Sequence, residues 1–410
     1  MCHYWIFSIT DSFSLPCGAE LSNRMAKAAL TERMAQPNHL PNEKHFQLYE
    51  TWASGGAGML LSGNIIVDKR YLEASGNVVI EENTPTQLFK EWTQKVTKTN
   101  THFWAQIGHA GRQSTIFSTL QPVSASNIKL KKVGLFAKPR ALTLSEIEEV
   151  ENRFIHAAKF CQQVGFTGIQ FHAAHGYLLS QFLSPRTNKR TDIYGGSLEN
   201  RARLLLDIVA KARKAVGKDF PISVKLNSAD FQRGGFEEED AIKVIKSLEE
   251  RGLDLLEISG GTYEDVTFFT QKGIKESTKE REAYFLDFAK KVRATSALPI
   301  MVTGGFRTLS FCNKVLANNE LDIVGFGRPF LLHDDFAKGF LAGTLAKVED
   351  PPVKSLLAMY YDFTLAGYYD YQILQIAEGK KIDLNYPGWQ ALFRMTKNEF
   401  WKGMKNRMYG

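Results

Sequence analysis

Apolar residues in this chain gather into short runs separated by longer amphipathic stretches. Runs rich in β-formers occupy residues 58–62, 102–107, 167–172, 221–226, 254–259, 299–303 and 321–326. Short apolar runs bounded by turn residues read as buried strands. A further strand near Arg24–Ala29 brings the set to eight. The intervening stretches have a helical period. Thr143–Gln163 opens with Thr143 and Glu146 at capping-box spacing. Glu237–Arg251 places Ala241, Val244, Ile245 and Leu248 on one face and stops at Gly252, where a left-handed cap suits glycine. Ser197–Val216 and Glu280–Ala294 show the same pattern. Parallel strands need crossovers of about a dozen residues, and these helices supply them. The count predicts an α/β fold, a closed (β/α)8 TIM barrel, with an open doubly wound sheet as the alternative.

Pro351-Pro352 marks a boundary, so residues 1–350 are assigned to the barrel and residues 351–410 to a C-terminal helical extension. That extension is rich in aromatics, among them Tyr361, Phe363, Tyr369, Trp389 and Trp401. The expected arrangement is helices packed on the barrel exterior or at a contact between copies of the chain. The alternative is a lid over the site.

At 410 residues the chain can hold one barrel of about 250 residues with insertions. Its 44% hydrophobic and 23% charged residues are those of a globular enzyme. The formal charge of +7 helps attract phosphate-bearing ligands. Lys and Arg are scattered among Glu with no basic stripe interleaved with aromatics, which argues against a nucleic-acid partner. No run of about 18 apolar residues argues for a membrane span. The first ten residues are apolar and aromatic but lack the charged start of a secretory signal. Cys2, Cys17, Cys161 and Cys312 lie far apart without metal spacing, which predicts reduced thiols, a cytoplasmic location and no metal site. A homo-oligomer is compatible with all of this.

In a barrel, chemistry sits at the C-terminal strand ends. The fourth strand ends at His172, with His175 and Tyr177 close behind it. Imidazole N–H groups can stabilise negative charge developing on a carbonyl oxygen, and a phenol with a reference pKa near 10 can donate a proton. A histidine pair at this spacing also suits a metal, but no third ligand accompanies it. Gln106 ends the third strand and offers a donor and an acceptor, as the edge of a flavin ring requires. Lys225 ends the fifth. A cation there stabilises the charge that a flavin gathers on reduction; the alternative is a salt bridge to Glu257 or Asp230. Gly304 and Gly305 after the seventh strand, with Gly327 and Arg328 after the eighth, suit a phosphate.

Together these residues resemble the old yellow enzyme family of FMN-dependent NADH:flavin oxidoreductases, the ene-reductases, over roughly residues 15–340. The most specific block is FHAAHGYLLSQFLSPRTNKRTDIYGGSLENR at 171–201, joined by AQIGHAGR at 105–112, LPCG at 15–18, and Asn23-Arg24. The resemblance implies FMN as cofactor, NAD(P)H as hydride donor and a small electron-poor molecule as acceptor, the two reactants using one cavity in turn. It implies that His172 and His175 bind the acceptor's activating group and that Tyr177 donates the proton. Gln106 and Lys225 would touch the flavin ring, and Gly304, Gly305, Gly327 and Arg328 would hold the phosphate. Thr31 falls where the family tunes the flavin, while Ala29, Leu30 and Asn64 match close contacts to the ring. Many relatives carry Arg in place of Lys225, some carry Pro in place of Ala29, and Asn64 replaces a small residue. The other functional readings are an NADH oxidase that uses oxygen or a quinone, and a non-catalytic flavin-binding protein.

Overall fold

The computed structural model describes residues 7–131, 134–260, 285–357 and 360–409. Eight parallel strands close into a barrel: β1 Met25–Lys27, β2 Met59–Ile66, β3 His102–Gly108, β4 Gly168–Ala173, β5 Ile222–Asn227, β6 Leu255–Ser259, β7 Ile300–Thr303 and β8 Ile323–Phe326. The strand order closes with β8 beside β1, so the doubly wound alternative is excluded.

Helices α1 Glu43–Ser54, α2 Gln87–Thr97, α3 Leu144–Gln163, α4 Leu178–Leu183, α5 Leu198–Val216 and α6 Glu238–Glu249 come after strands β1 to β5. The series continues with α7 Leu286–Arg293, α8 Leu309–Ala317 and α9 Phe336–Leu341. Thr143 accepts from the Glu146 amide and Glu146 reciprocates, which is the expected capping box. Gly252, after α6, has φ +76°. The helix expected from Glu280 is described from Leu286; positions 280–284, like residues 1–6, lie outside the described residues.

The core has two parts. Outward strand residues pack on helices: Phe171 meets Phe154 of α3 with ring centroids 6.0 Å apart. A second cluster fills the lower barrel interior with Ala26, Met59, Leu61, Trp104, Leu255 and Met301. Leu15 and Leu21 join it from a hairpin that pairs Phe13–Ser14 with Glu20–Leu21. A barrel plugged with apolar side chains at this level leaves only the upper end for polar chemistry.

The register builds that upper end. Asn64 pairs with Gln106, Gln106 with Gln170, and Gln170 with Ser223. One layer higher, His172 pairs with Lys225 and Lys225 with Glu257. The pairing of β2 with β3 shifts between Leu61 and Asn64, a bulge that inserts an extra residue and re-aims the side chains beyond it.

Two helices come after the barrel, α10 Tyr361–Ala377 and α11 Gly388–Tyr409. They pack on the barrel, as expected, and they also reach its mouth. None of the helices described is long and apolar enough to cross a membrane.

Candidate active site

All the candidate residues line one cavity of about 490 Å³ at the C-terminal end of the barrel. Its wall is built from strand ends and from the loop after β1, which carries Ala29, Leu30 and Thr31.

His172, His175 and Tyr177 owe their places to the turn after β4. His175 and Gly176 both adopt left-handed backbone, φ +58° and +77°, which reverses the chain within two residues. Such geometry is costly at a non-glycine position and is found where surroundings impose it. Here the His175 amide donates to Asn227 Oδ1 at 3.0 Å, and Gln113 Nε2 donates to the His175 carbonyl at 2.7 Å. The turn brings the Tyr177 ring within 4.6 Å of the His172 ring and leaves the two imidazoles 5.1 Å apart, both contacts edge-on.

The protonation of these groups is set by their surroundings. Burial, reinforced by the Lys225 charge, holds both imidazoles well below the usual histidine pKa. They are neutral at physiological pH. The Ala174 amide donates to His172 Nδ1 at 3.3 Å, which assigns the His172 proton to Nε2. His175 Nε2 lies 2.7 Å from Ser259 Oγ. Neutral imidazoles are hydrogen-bond donors here, not acids. Asn64 Nδ2 donates to the Tyr177 oxygen at 3.3 Å, which fixes the phenol against the barrel wall.

Beneath them, Lys225 Nζ donates to Glu257 Oε1 at 2.7 Å, both side chains almost fully buried. Lys225 thus forms the salt bridge that was its alternative reading, and it also lines the cavity. Its partner is Glu257; Asp230 instead accepts from the Phe236 amide at 3.0 Å. Gln170 Nε2 donates to Glu257 Oε2 at 2.8 Å, and Gln106 Nε2 donates to Gln170 Oε1 at 2.8 Å.

Gly304 and Gly305 have φ +124° and +92°, conformations that side chains rarely adopt. A 3₁₀ turn, Arg328–Leu331, comes after β8. Arg307 and Arg328 converge on Asp350 Oδ2 at 2.8 and 3.3 Å. The Thr303 hydroxyl, buried beside them, has no hydrogen-bond partner among the described residues. Bare glycine backbone, two guanidiniums and an unsatisfied hydroxyl form a donor set suited to a phosphate monoester. The polar strand ends of Gln106 and Lys225 suit the edge of a flat heterocycle. The residues present therefore fit FMN.

Sequence reasoning missed several of these side chains. Ser259 sits at the end of β6, where the strand-end rule applied to β4 would have found it. Gln113 lies in a 3₁₀ turn, Gly111–Gln113, just past the AQIGHAGR block. Arg307 stands beside the glycine pair. Phe363 and Met395 of the tail also line the cavity, on the side of the lid alternative rather than of packing on the exterior alone. No group of three or more His, Cys, Asp or Glu among the described residues could hold a metal ion.

The model of the NADH:flavin oxidoreductase / NADH oxidase family matches residues 17–343. An NADH-dependent flavin oxidoreductase of Aspergillus parasiticus is 36% identical over 349 residues, covering 80% of this chain and 78% of the relative. One from Hypocrea jecorina is 34% identical over 341 residues, covering 77% and 84%. Among solved structures, a complex of 2-naphthoyl-CoA reductase with 2-naphthoyl-CoA superposes with a TM-score of 0.77 at 26% identity. The match covers 82% of this chain and spans about half of that reductase, 52% of its length.

Proposed function

Because the chain belongs to the NADH:flavin oxidoreductase / NADH oxidase family, whose members include the old yellow enzymes, we propose that this FMN enzyme reduces the double bond of an α,β-unsaturated carbonyl or nitro compound at the expense of NAD(P)H. When bound, FMN supplies the redox chemistry, accepting hydride from the nicotinamide and passing it to the acceptor. The chain's own residues do the rest. His172 and His175, neutral and edge-on, grip the acceptor's carbonyl or nitro oxygen and stabilise the negative charge that grows there. Tyr177 delivers the proton to the α carbon, its oxygen fixed by Asn64. Lys225 keeps a positive charge beside the cavity through its pair with Glu257. Gly304, Gly305, Gly327 and Arg328 hold the phosphate, while Gln106, Thr31, Ala29 and Leu30 meet the ring.

The cluster of His172, His175 and Tyr177 carries this reading. Transfer of electrons to oxygen or a quinone needs no positioned proton donor facing a pair of imidazoles, and neither does passive flavin binding. Tyr177→Phe tests it by rapid mixing without oxygen. The acceptor half-reaction with 2-cyclohexenone should slow by roughly 10²–10⁴-fold, the usual worth of a positioned acid. Reduction by NAD(P)H should be largely unchanged. Equal losses in the two halves would remove Tyr177 from the proton-donor role.

A further inference from the structure

The tail beyond residue 343 is absent from the family segment. Yet α10 gives the cavity Asp362, Phe363, Leu365, Ala366 and Tyr369, and α11 gives it Met395. The groups suited to phosphate, ring edge or proton transfer come from barrel strand ends and the loops that follow them; the tail adds an apolar surface of Phe363, Leu365, Ala366 and Met395, beside Asp362 and a Tyr369 ring over which Arg328 Cζ lies 5.9 Å from the centroid. Phe136 and Phe306 extend that surface from the barrel loops.

This wall is built, not draped. Arg33, itself at the cavity, pairs with Glu73 at 3.2 Å and with Glu399 of α11 at 3.3 Å. Lys402 Nζ donates to the Arg33 carbonyl at 2.6 Å, and the Ser75 amide donates to Glu399 Oε2 at 2.8 Å. Gly403 sits so close to the barrel that a Cβ there would lie 2.8 Å from the Phe117 carbonyl. A surface held by part-buried ion pairs and backbone contact is preformed, so a ligand meeting it loses little to ordering the protein.

We infer that α10 and α11 form an acceptor-selecting wall, which fits this cavity to bulky apolar ring systems bearing a carbonyl or nitro group. The inference rests on the reading proposed above. Apolar contact area discriminates by size and shape, each well-placed group being worth on the order of tenfold in kcat/KM. Small acceptors reach the imidazoles without touching the tail; large ones are held by both.

The test compares a fused two-ring enone with 2-cyclohexenone, measured as the ratio of kcat/KM in the intact FMN-loaded enzyme. FMN affinity of the apoprotein is tracked by flavin fluorescence. Phe363→Ala should lower the ratio about tenfold by removing contact. Ala366→Phe should lower it at least as much by filling the space, and it covers the case of a poorly folded truncation. Trp389→Ala, on the exposed side of α11 at 51% exposure, is the control and should leave the ratio alone. An unchanged ratio in both wall variants overturns the inference, as does weakened FMN binding with the ratio unchanged. If the wild-type enzyme reduces neither enone, the acceptor reading itself fails; if it reduces both and the ratio does not move, only the wall fails.

Discussion

At the scale of single residues, the site depends on a carboxylate that does not line the cavity. Glu257 accepts from Lys225 through one oxygen and from Gln170 through the other, and Gln170 in turn accepts from Gln106. An ionised carboxylate can only accept, so it dictates the orientation of both amides. The Gln106 amide is thus set before any ligand arrives. Glu257→Gln would leave a buried ammonium without its counter-charge, which typically costs about 3–5 kcal/mol. Ser223→Ala, which removes only a 3.1 Å bond to Gln170, should cost about 1 kcal/mol. Urea unfolding of the two variants checks the contrast; similar losses would mean the pair contributes no more than an ordinary hydrogen bond. This is also where the sequence was most legible. His172, Gln106 and Lys225 sit at strand ends and Tyr177 in the turn after one, and strand ends can be counted from the hydrophobic period. Which carboxylate pairs with Lys225 could not be counted, because it depends on the register between β5 and β6. A register leaves no local mark.

At the scale of elements, period and caps located the eight strands and the helices α3, α5 and α6 to within a residue or two, except where backbone geometry departs from regularity. The bulge in β2 is one such place: it extends the strand to Ile66, beyond the apolar run, and sets Asn64 against Tyr177. The tail is another. Its helices were expected from composition, but their docking rests on long-range partners such as Arg33 with Glu399, which no period reports. The contact between α10 and α11 offers a test in which two effects have opposite signs. Gly367→Ala in a helix interior normally gains up to about 1 kcal/mol. Here a Cβ would lie 2.8 Å from the Ala391 carbonyl oxygen and 2.9 Å from its carbon. Backbone cannot yield as a flexible side chain does, and overpacking costs about 1–3 kcal/mol. The clash should win. Gly367→Ala should lower Tm and expose the tail to limited proteolysis before the barrel opens; a raised Tm would show that the hairpin has slack.

At the scale of the whole molecule, burial of ionisable groups sets the pH at which the fold is most stable. His45 is pushed down to about 3 and His109 to about 4 by burial, and His172 and His175 are also held low. Each binds fewer protons folded than unfolded below about pH 6.5, so stability falls as the pH drops through that range. Glu73, Asp230 and Asp370, raised by burial, oppose this in part above their unfolded carboxylate values. The same sign continues on the alkaline side. Burial lowers Lys27 to about 7 and Lys402 to about 8. Between those values and the unfolded value near 10.4, the unfolded chain again holds more protons, and stability rises with pH. Above about pH 10 the direction reverses, because Tyr368 and Tyr369 are raised to about 12 and Tyr49 is raised as well. The maximum should therefore lie between about pH 8 and 10, above the usual range of about 5 to 8. Thermal unfolding across pH 5–10 measures it directly, and a maximum at or below pH 6.5 would contradict the account. Lys27 stacks on Trp52, its Nζ 4.4 Å from the ring centroid, and donates to the Leu61 carbonyl at 2.9 Å. Lys27→Met keeps most of that packing and removes the titrating group, so it should flatten the rise between pH 7 and 9 while leaving the acid limb, which belongs to the histidines, in place.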